Sequence, residues 1–284
     1  MTQIHRIGRL LILGTVFFAF VDSRPTTAQT PADNVPTFSK DIVPILQRSC
    51  QKCHRPDSLA PMSLITYDEV RPWARSIKNR TALRDKPGVM PPWYIEKDIG
   101  IQRFKDDWSL SDDEIATIAA WTDNGAPRGN PADMPTPPPF IDVDEWEIGQ
   151  PDLIVSSGAV EVKGSAPDWW GSLGQADSGL TEDRYVAAIE YKERNNLERG
   201  VKTDTVGGLF VIHHSSVATI GPEGNMRNLH VWPVHEVGRN ADVFDEAAGV
   251  MLKAGSTLMF SSTHLHSNGT DATARLEVGF CQRG

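Results

Sequence analysis

The chain has 284 residues, a net charge of −9 and 39% hydrophobic residues. That length accommodates one large domain or two ordinary ones, and 23% charged residues excludes a disordered polyelectrolyte. The acidic balance argues against a nucleic-acid partner, and three cysteines are too few for a disulfide-stapled scaffold.

Residues 1–28 have the form of a secretory signal peptide. His5, Arg6 and Arg9 make a basic start, Leu10 to Val21 is apolar, and Thr26-Thr27-Ala28 offers small residues for cleavage. The apolar run is too short for a comfortable membrane span, so the expectation is a periplasmic or secreted protein with no transmembrane span in the mature chain. Such a chain folds outside the reducing cytosol.

Residues 31–130 read as a small all-α domain. Ser39 to Ser49 predicts a short helix with Ile42, Ile45 and Leu46 on one face, and Pro44 fits only its first turn. Leu110 to Asn124 predicts a second helix. Ser111 and Glu114 form a capping box, Ile115, Ile118 and Ala119 give the apolar face, and Gly125 with Pro127 ends it. Residues 131–140 place prolines at 131, 135, 137, 138 and 139, which predicts a stiff, extended connector. Residues 141–284 change in texture. Asp152 to Ser156, Tyr185 to Tyr191, Leu209 to Ile220, Thr257 to His266 and Ala274 to Phe280 are β-type runs separated by Gly, Asn and Pro turns. The fold class is therefore multidomain α and β, with a small all-α domain followed by an all-β domain of sandwich or jelly-roll type.

The most specific motif is Cys50-Gln51-Lys52-Cys53-His54, the pattern of c-type haem attachment. Two thiols add to the two haem vinyl groups, the two-residue spacer lets both sulfurs reach one porphyrin edge, and the adjacent imidazole falls beneath the iron. A zinc site would need two further ligands nearby, and a redox dithiol would want a βαβ context. Met90, in Met90-Pro91-Pro92-Trp93, is the preferred ligand on the opposite face of the iron, a thioether that suits electron transfer. Met62 is the alternative, on a shorter tether from His54. Trp73, Trp93, Trp108 and Trp121 are expected to pack in the core or the haem pocket.

Six of the eight histidines lie between positions 213 and 266. His213 and His214 end one predicted strand, and Thr263-His264-Leu265-His266 follows another. On a regular strand His264 and His266 share a face while His213 and His214 point apart, so the pair can reach one ion only if the strand bends. Three neutral imidazoles with open positions suit copper, and also zinc. His230 and His235 fall in an expected strand and turn. Against the metal stands the alternative of hydrogen-bonded sheet histidines.

Residues 36–127 resemble small class I cytochromes c in the helix before CxxCH, the Met-Pro loop and the Leu110-Ser-x-x-Glu-Ile-x-x-Ile-x-x-Trp121 closing helix. The second half is similar to the N-terminal half of copper type II, ascorbate-dependent monooxygenases of the peptidylglycine alpha-hydroxylating group. Secreted bacterial members of that group fuse a cytochrome c domain to the catalytic module. Ala60-Pro-Met-Ser-Leu64, Arg71-Pro-Trp-Ala74, Trp121-x-x-x-Gly-Ala-Pro127, His213-His214 and His264-x-x-x-Asn268-Gly269 all look like those fusions.

The resemblance implies haem c on Cys50 and Cys53 with His54 and Met90 as axial ligands. It also implies an electron-transfer copper on His213, His214 and His264, with His266 beside them as a supporting or alternative ligand. It further implies that the β domain is C-terminally truncated, since the family's first copper domain should still be closing at Gly284, and that the oxygen-activating copper site has no ligands here. Hydroxylation by this chain alone is then not expected, and no catalytic residue is assigned. The partner would be a redox protein or a small reductant. The competing function is a cytochrome c fused to a metal-free β-sandwich binding module; a metal hydrolase is weaker, since no general-base motif accompanies the histidines.

Overall fold

In the computed structural model, residues 35–92, 99–100, 104, 107–199 and 208–283 are described. The expected signal peptide and Trp93 lie outside these residues. Among the described residues no helix is long and apolar enough to cross a membrane.

The first half is helical. A single π-type turn at Phe38–Ile42 runs into α1, Val43–Ser49, with Pro44 in its first turn as the missing N–H requires. Two helices follow, α2 at Tyr67–Val70 and α3 at Ala74–Thr81, then α4 at Asp112–Asp123. The start of α4 is the expected capping box. Ser111 Oγ accepts the Glu114 N–H, and the Glu114 carboxylate accepts the Ser111 N–H at 2.8 Å. Gly125 ends it with φ +86. One apolar cluster joins Phe38, Ile42 and Leu46 to Leu64, Val70, Ile77, Ile118 and Trp121. Trp121 is fully buried and donates its Nε1–H to the Pro127 carbonyl at 3.0 Å. Trp73 is not part of the apolar core. It is exposed, because the buried face of this segment runs through Val70, Ala74 and Ile77 and leaves position 73 off it.

Residues 131–140 begin with a 3-10 turn at Pro131–Asp133 and continue extended. They are packed against the helices instead of hanging free. Gln47 donates to the Thr136 carbonyl at 3.4 Å, and the Arg55 guanidinium lies over the Phe140 ring at 4.9 Å.

The second half is a β-sandwich. Its strands are β1 Leu153–Ser156, β2 Val160–Val162, β3 Trp169–Gly171, β4 Gly174–Asp177, β5 Arg184–Asn195 and β6 Ile212–Ile220. They continue with β7 His230–Val231, β8 His235–Glu236, β9 Ala241–Val243, β10 Val250–Leu252, β11 Thr257–Leu265 and β12 Ala272–Gln282. One antiparallel sheet has the order β1-β12-β5-β10, with β2 also on β12 and β9 on β5; the other has β3-β11-β6-β7, with β4 on β11 and β8 on β6. The inward side chains of both sheets form a single apolar cluster that includes Val186, Ile189 and Tyr191 from β5, Val217 from β6, Leu258 and Phe260 from β11, and Leu276, Val278 and Phe280 from β12. Each such buried side chain contributes about 1.5–3 kcal/mol. The five expected runs are all strands. β12 lies inside its sheet, and Cys281 continues it opposite Ala188.

The described residues from Pro36 onward form one compact unit. The segment around Cys53 packs on the stretch that leads into β1 and, through Leu59, on Gly208. Arg55 donates to the Ile141 carbonyl at 3.0 Å, and Lys52 sits 3.6 Å from Glu147. The Leu59 carbonyl packs so closely on Gly208 that a Cβ there would collide with it.

Candidate metal centre

Cys50, Cys53 and His54 fold as one turn. The N–H groups of Cys53 and His54 both point to the Cys50 carbonyl, at 3.2 and 2.9 Å. Both thiols are free. Burial pushes the Cys50 thiol up to about 12 and raises Cys53 too, so neither is a ready thiolate of the kind a dithiol exchange site needs. His54 donates Nδ1–H to the Met62 carbonyl at 3.3 Å, which leaves Nε2 as its free lone pair. Burial holds His54 below its ordinary value, although the Met62 carbonyl acts the other way. Two free thiols on one turn and an imidazole with a fixed tautomer fit covalent haem. Met62 packs against the helical cluster, and its carbonyl holds His54. Met90 is 41% exposed and lies near Leu110 and Ile115, beside α4.

The histidine cluster sits on the outer face of the β3-β11-β6 sheet. Regular alternation would send His213 and His214 to opposite faces, but the inward positions of β6 are Ile212, then Ser215 and Val217. Two residues fall between Ile212 and Ser215, so both histidines avoid the core. β11 has a matching irregularity, with Phe260 and Thr263 inward, Ser262 at φ +45 and a register shift between Ser261 and His264. Thr263 and Ser215 share a buried hydroxyl hydrogen bond at 2.9 Å beneath the site. His264 and His266 share the outer face as expected.

Ligand nitrogens of His213, His214 and His264 lie within 4.8 Å of one another, and among the described residues this is the cluster in which three His, Cys, Asp or Glu groups come so close. Trp170, His264 and His214 form a row across three strands, set by the pairing of His264 with both. Trp170 stacks on His264 at 4.7 Å and 9°, and His264 lies nearly parallel to His214 at 5.8 Å. His213 stands edge-on, 4.3 Å from His214 and 5.2 Å from His264. Partial burial, followed by the neighbouring imidazoles, pulls His213 down to about 4. It is therefore neutral at pH 7, the form that binds metal. His264 Nδ1 is buried without a partner, while its Nε2 lies 3.2 Å from Asp168. An orphaned imidazole nitrogen beside two more imidazoles fits a bound cation. His266 Nδ1 meets the other Asp168 oxygen at 2.7 Å.

Asp168 and Trp170 were not singled out from the sequence. The signal available was two adjacent tryptophans after an acid in a polar stretch, and Trp170 is indeed 62% exposed. The two remaining histidines stand outside the triad. His235 is buried, with Nε2 3.2 Å from the Ile212 carbonyl, and burial pushes it down to about 4. His230 packs edge-on against Trp232 at 4.7 Å, and burial lowers it.

Behind the histidine pair, the buried Glu193 carboxylate accepts the N–H of Val211 and Ile212, at 3.0 and 2.7 Å, and the Asn195 amide at 2.7 Å. It thereby fixes the entry to β6. No protein-family model matches the chain, and no curated protein matches it.

Proposed function

We propose that the protein is an exported haem c electron-transfer protein whose β-sandwich carries a three-histidine copper site. The observation that carries this reading is the Cys50–His54 turn, with two free thiols and a His54 ring tied by Nδ1 to Met62. In it, Cys50 and Cys53 would anchor haem and His54 Nε2 would be the donor to its iron. Met90 would be the preferred second ligand, with Met62, on the shorter tether and with its carbonyl already on His54, as the alternative. His213, His214 and His264 would hold the copper, three imidazole donors that suit a borderline cation with open positions. Haem c and a histidine-bound copper each supply a one-electron couple; the chain supplies ligation, burial and spacing. The donor and acceptor would be a redox protein or a small reductant.

Two measurements test this. Protein matured in a haem-competent periplasm is expected to keep its Soret band through acid-acetone extraction; a colourless protein of unmodified polypeptide mass refutes the haem assignment. Copper-loaded protein is expected to give a type II paramagnetic spectrum that the His213→Ala/His214→Ala double variant loses. The Asp168 contacts favour a second reading, a metal-free binding module, because they satisfy one ring nitrogen of His264 and one of His266 without an ion. Metal content unchanged by the double variant selects that reading.

A further inference from the structure

Asp168 is the one carboxylate in contact with the histidine cluster among the described residues. It lies just before β3, and its two oxygens are divided between two imidazoles, Oδ2 at 3.2 Å from His264 Nε2 and Oδ1 at 2.7 Å from His266 Nδ1. A carboxylate accepts, so a neutral His264 facing it carries its proton on Nε2. Its Nδ1 is then a bare lone pair, and this is the nitrogen that is buried without a partner. Two residues along, Trp170 lies flat on the same ring at 4.7 Å and sets its plane. One short strand segment therefore governs both the proton and the tilt of His264.

We infer that Asp168 is a positioning residue, which fixes His264 as the Nε2–H tautomer and turns its Nδ1 toward the ion shared with His213 and His214. The inference rests on the metal reading above and adds the ligating atom and the group that selects it. A carboxylate hydrogen-bonded to the far nitrogen of a ligand imidazole raises its basicity and fixes its orientation. Asp168 itself is half-exposed and outside both apolar clusters, so its removal leaves the fold intact.

The experiment uses the full chain and two readouts. In metal-free protein, two-bond proton–nitrogen correlation of the imidazoles is expected to place the His264 proton on Nε2 in the wild type. In Asp168→Ala the two tautomers are expected to mix. Titration with Cu(II) against a competing chelator is expected to show affinity falling about 10–100-fold in Asp168→Ala, with altered paramagnetic hyperfine values. Asp168→Glu is expected to recover most of that affinity, which a merely structural role would not produce. A wild-type His264 protonated on Nδ1 overturns the inference. So does a wild type that takes Cu(II) with Asp168→Ala unchanged in affinity and spectrum, and this result leaves the metal reading standing. A wild type that takes no Cu(II) overturns both.

Discussion

Replacing Glu193 by Ala would remove the acceptor for two buried backbone donors at the mouth of β6. The N–H groups of Val211 and Ile212 point at its buried carboxylate from 3.0 and 2.7 Å. Each orphaned donor costs about 1–3 kcal/mol, so Glu193→Ala is expected to destabilise by about 2–6 kcal/mol. The third donor, Asn195, keeps its bond to the Leu209 carbonyl and adds little. At about 2 °C per kcal/mol for a unit of this size, the midpoint should fall by about 4–12 °C. Metal affinity should fall with it, because His213 follows Ile212 directly. Burial raises the Glu193 carboxyl above its ordinary 4.5, against the pull of its hydrogen bonds to Asn195, Ile212 and Val211. A raised acid binds its proton more tightly folded than unfolded. Its contribution is therefore greatest below 4.5 and is lost as pH rises through the raised folded value. The stability difference between wild type and Glu193→Gln should shrink over that window and then level off. Urea unfolding at several pH values measures both effects. A Glu193→Ala midpoint equal to wild type, or a wild-type-minus-Gln difference flat across pH, refutes the reasoning.

Trp121→Ala removes a fully buried ring and its bond to Pro127, and should cost about 3–5 kcal/mol in thermal unfolding. Ser111→Ala should cost about 1 kcal/mol by opening the capping box. Burial raises Glu114, but the Ser111 N–H and the Arg48 guanidinium outweigh it and hold the carboxyl below its ordinary value. The stability it lends is thus present above 4.5 and lost as pH falls through the depressed value, a loss of helix stability that circular dichroism would detect. Gly208→Val drives a side chain into Leu59 at a φ of +66 and should expose the segment after Cys53 to limited proteolysis; an unchanged digestion pattern would contradict the docking.

Much of the architecture was legible because local signals agreed. The Ser111–Glu114 box, the Ile115 and Ile118 spacing and Gly125 all bound α4, and five apolar runs gave the long strands. The helix α3 was not anticipated, since Ala74-Arg-Ser-Ile-Lys-Asn-Arg-Thr81 offers only Ala74 and Ile77 as apolar positions. β3 and β4 were missed because they pair only with β11 and lack an inward-outward alternation. At the histidine cluster, residue types were legible and geometry was not. Sequence alternation sets His213 and His214 apart; only irregularities in two neighbouring strands bring them together. Asp168 stands 96 residues from His264, so no local pattern links them.

The Gly208 contact bears on how both residue sets keep their positions. Gly208 touches Leu59, whose loop starts at the Cys50–His54 turn, and its carbonyl accepts the buried Asn268 amide at 3.3 Å. Asn268 lies two residues beyond His266, whose own N–H bonds the Val211 carbonyl at 2.9 Å. One small patch of backbone thus ties the cysteine turn, the histidine pair and the end of β11. None of these ties involves a ligand, and the sandwich core beneath them is a continuous apolar cluster. The sandwich should therefore fold without metal, unlike small domains whose folding energy is the ion itself. Chelation should lower stability only by the binding linkage, about 2.7 kcal/mol at one hundred times the dissociation constant, and leave the far-ultraviolet spectrum unchanged. Loss of β structure on chelator treatment would mean that the two strand irregularities need the ion to form, and that the site is built by its metal instead of by the sheet.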